Sequence, residues 1–199
     1  AGSVGSAPAT LTVSDCGQFQ NGSFENGSSG WQHDEFAAVV GPPYAASHGI
    51  YSVLFDGATM GGHGGAISQE FCVWPDTWYQ ISFDYAGITN EYSPIGPVTV
   101  EVSGWNGAPV VLFTNTVNPT SIFQTETFWV QGPQGGSLTL AIYRYFGDGN
   151  VGFSGSIVDN VKVTEILSGS AVITSQPQSA TVSAGSVVQF AVGTLPALP

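Results

Sequence analysis

The stretch WYQISFDYA, residues 78–86, shows most directly how this chain folds. Its larger apolar side chains stand at every second position: Tyr79, Ile81, Phe83 and Tyr85. In an extended strand successive side chains point to opposite faces, so these residues share one face and the polar residues between them share the other. This period of two predicts a β-strand with one side in the protein core.

The same pattern recurs along the chain, whereas helical periodicity is nearly absent. The valines of PVTVEVSG (97–104) fall on one face, as do the apolar residues Leu138, Leu140 and Ile142 of SLTLAIYRYF (137–146). The sequence WNG at 105–107 predicts a hairpin, because Asn-Gly adopts the positive φ angles of a tight turn. Other strand-like segments are 50–56, 66–73, 109–116, 121–130 and 156–165. About nine or ten short strands, separated by turn residues, predict an all-β, antiparallel jelly-roll β-sandwich.

Composition divides the chain into three parts. Residues 1–15 are an extended N-terminal arm of small side chains, and 16–165 carry the strand pattern of the sandwich. Residues 166–199 form a C-terminal β tail, which the linker-like stretch LSGS (167–170) introduces. We therefore expect one β-sandwich domain with an extension at each end.

The charge balance excludes two classes of partner. The chain has 14 acidic residues and two basic ones, Arg144 and Lys162, for a formal net charge of −12. Nucleic-acid binding needs clustered Lys and Arg, and so does electrostatic attachment to anionic membranes. No apolar run approaches the roughly 20 residues that span a bilayer. We expect neither a nucleic-acid partner nor a membrane span.

Other features are typical of a secreted protein. The chain begins at Ala1 without an apolar signal segment, as a processed chain does after its signal peptide is removed. Its two cysteines, Cys16 and Cys72, suit an oxidising compartment. A disulfide between them would stabilise the fold by about 3–4 kcal/mol in the chain-entropy model, and two free buried thiols are the alternative. We expect an extracellular or cell-surface protein.

The order of several motifs adds a family resemblance. NGSFE (21–25) and Gly30–Trp31 are followed by HGIYSVLFDG (48–57), GGAISQEF (64–71), WYQISFDYAG (78–87) and IVDNVKV (157–163). This series resembles the galactose-binding-like β-sandwich domains of secreted bacterial and plant proteins. That group includes bacterial choice-of-anchor domains and is similar to several families of carbohydrate-binding module. The resemblance covers residues 16–165 and implies a jelly roll of two antiparallel sheets.

The resemblance also implies a structural Ca²⁺ site near the joined first and last strands. The matching positions are Glu25 and Asp159, assisted by backbone carbonyl groups around His48 and Gly49. Ca²⁺ prefers six to eight hard oxygen ligands, of which only a few need be carboxylates. The alternative is that Glu25 caps a turn and Asp159 accepts hydrogen bonds from neighbouring amides. On the same basis, Phe24 is expected in the core and Trp31 at one end of the sandwich.

Candidate sites for chemistry favour binding over catalysis. The sequence has no G-x-S-x-G elbow, no H-E-x-x-H motif and no phosphate-cradling loop, so we expect no enzymatic activity. Sugar-binding modules use exposed aromatic faces together with Asn, Gln and Asp for hydroxyl groups. The stacking candidates are Trp105 in the hairpin and Trp74, Trp78 and Tyr92 at strand ends or in loops. Burial of these rings is the alternative.

The tail suggests an assembly. VITSQPQSATVSAGSVVQF (172–190) resembles the first strands of bacterial immunoglobulin-like domains, and an isolated strand pair is marginally stable in water. Its apolar residues need cover from this chain or from another one. They are Val172, Val182, Val187, Val188, Phe190 and Val192. Strand donation to a neighbouring subunit would supply that cover and would build a polymer.

Two functional hypotheses are preferred, and the third is an enzyme, in which Asp34, Glu35 and Asp84 would supply the carboxyl pair of a glycosidase. The first is a non-catalytic, Ca²⁺-stabilised structural subunit of an extracellular filament, tube or surface layer, with itself as its main partner. The alternative is a carbohydrate-binding or adhesion module of a larger secreted protein, with a polysaccharide as its partner. The two differ in whether residues 171–199 pack on another chain and in whether Trp105 faces solvent.

Overall fold

The described part of the chain is all-β. A computed structural model describes residues 17–55, 64–88, 96–105, 107–144, 155–166, 173–175 and 193–194. Within these ranges the regular elements are strands, and none is a helix long and apolar enough to cross a membrane. In chain order they are β1 (Gln32–His33), β2 (Ala37–Val40), β3 (Ser52–Phe55), β4 (Ala66–Cys72), β5 (Trp78–Gly87), β6 (Val98–Trp105), β7 (Pro109–Val117), β8 (Gln124–Gln131), β9 (Ser137–Tyr143), β10 (Ser156–Ile166), β11 (Ile173–Ser175) and β12 (Gly193–Thr194).

Two five-stranded antiparallel sheets form the sandwich. The first has the strand order β1-β4-β9-β6-β7, and the second has the order β2-β3-β10-β5-β8. Strands distant in sequence are therefore neighbours, and β10 lies between β3 and β5. This arrangement confirms the predicted antiparallel β-sandwich.

The core fills the space between the two sheets. The alternation predicted for β5 is confirmed, because Tyr79, Ile81, Phe83 and Tyr85 are all buried. The apolar faces of β6 and β9 are buried too, with Val98, Val100, Val102, Leu138, Leu140 and Ile142 at the centre. Full burial of an aliphatic or aromatic side chain contributes roughly 1.5–3 kcal/mol, so this shared core is what holds the two sheets together.

The sequence pattern missed two strands of the sandwich and misplaced several strand boundaries. β1 and β2 were not predicted, because segments of two and four residues are too short to show a period. β8 begins at Gln124, whereas the pattern indicated a strand from residue 121. The hairpin at WNG is confirmed, since β6 and β7 pair up to Trp105 opposite Pro109.

NGSFENGSSGW (21–31) is a set of turns closed over the end of the core. Phe24 and Trp31 are both buried, and their rings pack at a centroid distance of 5.3 Å. The Trp31 Nε1–H donates to the carbonyl oxygen of Asn21 at 3.0 Å. Asn21 Nδ2 in turn donates to the carbonyl oxygens of Gly27 and Ser29, at 2.9 Å each. The predicted placement of Phe24 in the core is confirmed, and Trp31 is buried beside it.

Only one of the two cysteines of the predicted disulfide lies in the described part of the chain. Cys72, the last residue of β4, is disulfide-bonded, while Cys16 lies outside the described residues. The backbone N–H of Cys72 donates to the carbonyl oxygen of Gly17 at 2.7 Å, which brings the neighbour of Cys16 beside Cys72. The Cys16–Cys72 pairing remains a prediction that this contact supports.

Two short strands are the described part of the tail. β11 pairs with β12 in an antiparallel two-stranded sheet. The assembly residues Val172, Val182, Val187, Val188, Phe190 and Val192 lie outside the described residues. Strand donation by the tail and the division of the chain at residues 15 and 165 therefore remain predictions.

Candidate functional site

One polar cluster joins the last long strand to the segment before β3. Asp159 of β10 is 0% exposed, and its Oδ2 accepts hydrogen bonds from the backbone N–H groups of Ser47 and His48 at 2.8 Å each. Its Oδ1 accepts from the N–H of Asn160 at 2.6 Å. Burial raises the pKa of Asp159, although these hydrogen bonds act in the opposite direction. These hydrogen bonds attach the segment at Ser47–His48 to β10, the central strand of the second sheet.

Glu25 holds the other end of the same segment. Its Oε1 accepts hydrogen bonds from the N–H groups of Ile50 and Tyr51 at 2.9 Å each. These bonds lower the pKa of Glu25. Between them, Gly49 has φ = 74°, and a Cβ atom there would lie 2.4 Å from the Glu25 carboxyl group. Glycine is therefore required at position 49 by a close approach as well as by backbone conformation.

The predicted metal ligands thus lie around one segment, but their carboxylates face amide groups. This arrangement agrees with the alternative to a Ca²⁺ site, in which Glu25 caps a turn and Asp159 accepts hydrogen bonds from neighbouring amides. Within the described residues, no three or more His, Cys, Asp or Glu side chains are grouped so that they could hold a metal. The two carboxylates are suitable Ca²⁺ donors, so a Ca²⁺ ion here would take its remaining ligands from backbone carbonyl groups and water. Ca²⁺ at this position stays a proposal.

A second cluster centres on the loop GPQGG, residues 132–136, between β8 and β9. Backbone hydrogen bonds join it to the turn between β4 and β5: the Asp76 N–H donates to Gly132 O at 2.9 Å, and the Gly132 N–H donates to Thr77 O at 2.8 Å. On its other side, the Gly135 N–H donates to Trp105 O at 2.9 Å. The loop therefore fixes both the turn and the hairpin that carry exposed tryptophans.

One groove on this loop combines aromatic and polar side chains. We name it the tryptophan groove; its volume is about 380 Å³. It is lined by Asp76, Trp78, Gly104, Val110, Leu112, Trp129, Val130, Gln131, Gly132, Pro133 and Gln134. Trp78 pairs with Gln131 and Trp129 pairs with Gln80, so the two tryptophans are diagonal neighbours on adjacent strands.

Polar groups in the tryptophan groove are held in place by one another. Gln134 Nε2 donates to Asp76 Oδ2 at 2.8 Å, and Gln131 Nε2 donates to the Asp76 carbonyl oxygen at 3.0 Å. Asp76 itself has φ = 59°, so its backbone takes the left-handed conformation of a tight turn. Its Oδ1 takes part in none of the hydrogen bonds found among the described residues. The groove thus offers carboxylate and amide groups beside indole rings.

A second groove lies on the other side of the same loop. We name it the Trp74 groove; its volume is about 650 Å³. It is lined by Gln18, Phe19, Phe71, Cys72, Val73, Trp74, Pro75, Tyr79, Gln134, Gly135, Gly136, Val163 and Glu165. The Trp74 N–H donates to the hydroxyl oxygen of Tyr79 at 2.8 Å, which anchors the backbone of Trp74 to β5.

The predicted stacking residues meet different environments. Trp74 is 70% exposed and Trp105 is 52% exposed, as expected from the sequence. Trp78 is partly buried and lines the tryptophan groove, while Tyr92 lies outside the described residues. The side chains of Trp74 and Trp105 are therefore both open to solvent. Trp105 is not among the lining residues of either groove.

Of the residues that line the tryptophan groove, only Trp78 was predicted; the aromatic and polar residues that were missed are Asp76, Trp129, Gln131 and Gln134. Trp129 could have been found, because the alternation of Phe128 and Val130 into the core places the residue between them on the outer face. Gln131 and Gln134 carried no such signal. Their position depends on how the loop 132–136 meets the turn before β5.

Comparison with known proteins identifies the fold. No protein-family model and no curated protein sequence matches the chain. Among solved structures, a family 61 carbohydrate-binding module in complex with β-1,4-galactotriose has a TM-score of 0.58 at 18% identity, over 75% of this chain and 99% of that chain. A family 22 xylan-binding domain from Paenibacillus barcinonensis has a TM-score of 0.53 at 17% identity, over 72% of this chain and 90% of that chain.

The same fold also occurs in an enzyme. A cyclase from Fischerella, in complex with 4-(1H-indol-3-yl)butan-2-one, has a TM-score of 0.55 at 18% identity, over 77% of this chain and 98% of that chain. Similarity at this level of identity defines architecture, because one fold supports many activities. The resemblance expected from the sequence is confirmed at that level. The chain has the antiparallel β-sandwich fold that these carbohydrate-binding modules and the cyclase share.

Proposed function

We propose that this protein is a non-catalytic carbohydrate-binding module and that the tryptophan groove is its sugar-binding site. The observation that carries this proposal is the combination of Trp78 and Trp129 with Asp76, Gln131 and Gln134 in one groove. Indole rings pack against the C–H faces of sugars, while carboxylate and amide groups bind hydroxyls and fix the orientation of the ring.

The carbohydrate-binding modules among the structural neighbours support this proposal over the filament subunit. One of them is described in complex with β-1,4-galactotriose and another as a xylan-binding domain. A polysaccharide ligand suits a secreted or cell-surface protein, the location expected from the cysteines. A structural Ca²⁺ ion at Glu25 and Asp159 would belong to the scaffold of this module and would not contact the sugar.

Isothermal titration calorimetry against soluble β-1,4-galactan, xylan and neutral glucans tests the proposal. We expect at least one of these polysaccharides to bind, and Trp78→Ala to weaken its binding about tenfold or more, since a stacked aromatic anchor contributes above 1 kcal/mol. Tyr44→Ala is the matched control, because Tyr44 is an aromatic residue with 40% exposure that lies outside both grooves. Thermal unfolding of each variant checks that the fold is retained.

Two results would contradict the proposal. One is the absence of binding to every polysaccharide tested. The other is an affinity that Trp78→Ala leaves equal to that of Tyr44→Ala, which would place the ligand elsewhere on the protein.

A further inference from the structure

The two grooves lie side by side. The turn 74–76 and the loop 132–136 form a ridge between them. Gln134 lines both of them, and consecutive residues of a single turn divide between them: Trp74 and Pro75 face the Trp74 groove, while Asp76 faces the tryptophan groove. The hydrogen bond from Gln134 Nε2 to Asp76 Oδ2 joins the loop to the turn between the two grooves. Gln134 is therefore the lining residue that the two grooves have in common.

The ridge is preorganised, because backbone contacts hold it on both sides. The Val73 N–H donates to Gly136 O at 2.9 Å, which adds to the bonds between Asp76, Thr77 and Gly132. A Cβ atom at Gly132 would lie 2.2 Å from Trp74 O, so only glycine permits this approach. A rigid surface loses little conformational freedom when it binds a ligand, which favours affinity.

The charge of the ridge limits the class of ligand. Asp76 and Glu165 line the grooves, and neither Lys162 nor Arg144 is among the lining residues. In a chain of net charge −12, these sites repel anions. Their lining residues include no Arg side chain that could bind a carboxylate or sulfate group through two hydrogen bonds. Uronate and sulfated polymers are therefore poor ligands, whereas an uncharged chain with many hydroxyl groups is compatible with both grooves.

We propose that the ligand is an uncharged polysaccharide bound along its length, with sugar units in both the tryptophan groove and the Trp74 groove. This inference rests on the proposed function and adds the chain length and the charge class of the ligand. Trp74, at 70% exposure, is the aromatic platform of the second groove.

The test measures affinity against oligosaccharide length. Ladders of β-1,4-galacto-oligosaccharides and xylo-oligosaccharides are titrated by calorimetry into the full chain and into its Trp74→Ala, Trp78→Ala and Tyr44→Ala variants. We expect affinity to rise with length, Trp78→Ala to weaken every length, and Trp74→Ala to weaken the longest oligosaccharides about tenfold and the shortest by much less. Polygalacturonate, the anionic counterpart of galactan, is expected to bind at least about tenfold more weakly than galactan.

The outcomes separate this inference from the proposed function. If affinity does not rise with length, or if Trp74→Ala behaves like Tyr44→Ala, the second groove is not a subsite and the inference is wrong, while loss of binding in Trp78→Ala still supports the module. Binding of polygalacturonate as tight as that of galactan would contradict the charge class. If no saccharide binds, the proposed function fails and this inference fails with it.

Discussion

The backbone N–H of Gly135 donates a hydrogen bond of 2.9 Å to the carbonyl oxygen of Trp105. A Cβ atom at Gly135 would lie 2.1 Å from that oxygen, so the contact requires glycine. Through this bond, the loop that separates the two grooves also fixes the β6–β7 hairpin. The exposed Trp105 is thus attached to a rigid frame even though its ring is open to solvent.

Replacing Gly135 by alanine is expected to lower the free energy of unfolding by about 0.5–1.5 kcal/mol, the usual net contribution of one hydrogen bond, because the added methyl group displaces Trp105 O from the Gly135 N–H. Denaturant titration measures the change. Gly17→Ala is the matched control, because a Cβ atom at Gly17 would meet nothing within 4 Å. Equal stability of the two variants would show that the loop moves away from Trp105 at no cost.

Chelation tests the proposed Ca²⁺ site. If Ca²⁺ binds only the folded protein, it raises stability by RT ln(1 + [Ca²⁺]/Kd). We expect EDTA to lower the melting temperature of the wild-type protein, added Ca²⁺ to restore it, and Glu25→Gln to abolish the difference. Glu70→Gln is a control on an exposed acidic residue of β4. A melting temperature that neither EDTA nor Ca²⁺ changes would leave Glu25 and Asp159 with their amide partners alone.

Asp84 is expected to contribute to acid sensitivity. Burial opposes its charged form, but hydrogen bonds from Thr125, Asn160 and Ser47 outweigh burial and lower the pKa of Asp84 below its ordinary value of 3.8. A carboxylate with a lowered pKa in the folded state adds stability above its ordinary pKa and loses it as the pH falls through the folded-state pKa.

Asp84→Asn should therefore lose less stability than the wild type between neutral pH and strongly acidic solution. Denaturant titrations along a pH series measure this difference. Wild-type and Asp84→Asn curves that stay parallel throughout the series would show that the Asp84 carboxylate is not preferentially ionised in the folded protein.

Removal of the tail separates the two hypotheses for function. Every described residue of both grooves lies between Gln18 and Glu165, so a chain ending at Ile166 is expected to bind the same polysaccharide with unchanged affinity. Calorimetry and light scattering on the intact and shortened chains measure affinity and particle size. Long ordered particles formed only by the intact chain would favour the filament subunit and strand donation by the tail.

Much of the fold could be predicted because alternation is encoded locally. The faces of β5, β6 and β9 follow from their own residues, since every second side chain must point the same way. Phe24 was also placed correctly in the core from its motif. β1 and β2 were missed because strands that short form only through pairing with β4 and β3, and that pairing leaves no periodic signal.

The candidate site was predicted less completely. Trp74, Trp78 and Trp105 were singled out by type, and two of them are exposed as expected. The sequence alone determined which residues are aromatic and which residues of one strand share a face. Only the tertiary structure decided that Trp78 and Trp129 line one groove, because the register of β5 on β8 sets Trp78 opposite Gln131 and Gln80 opposite Trp129. A site built across strands and loops depends on contacts between segments distant in sequence, and no local pattern specifies those contacts.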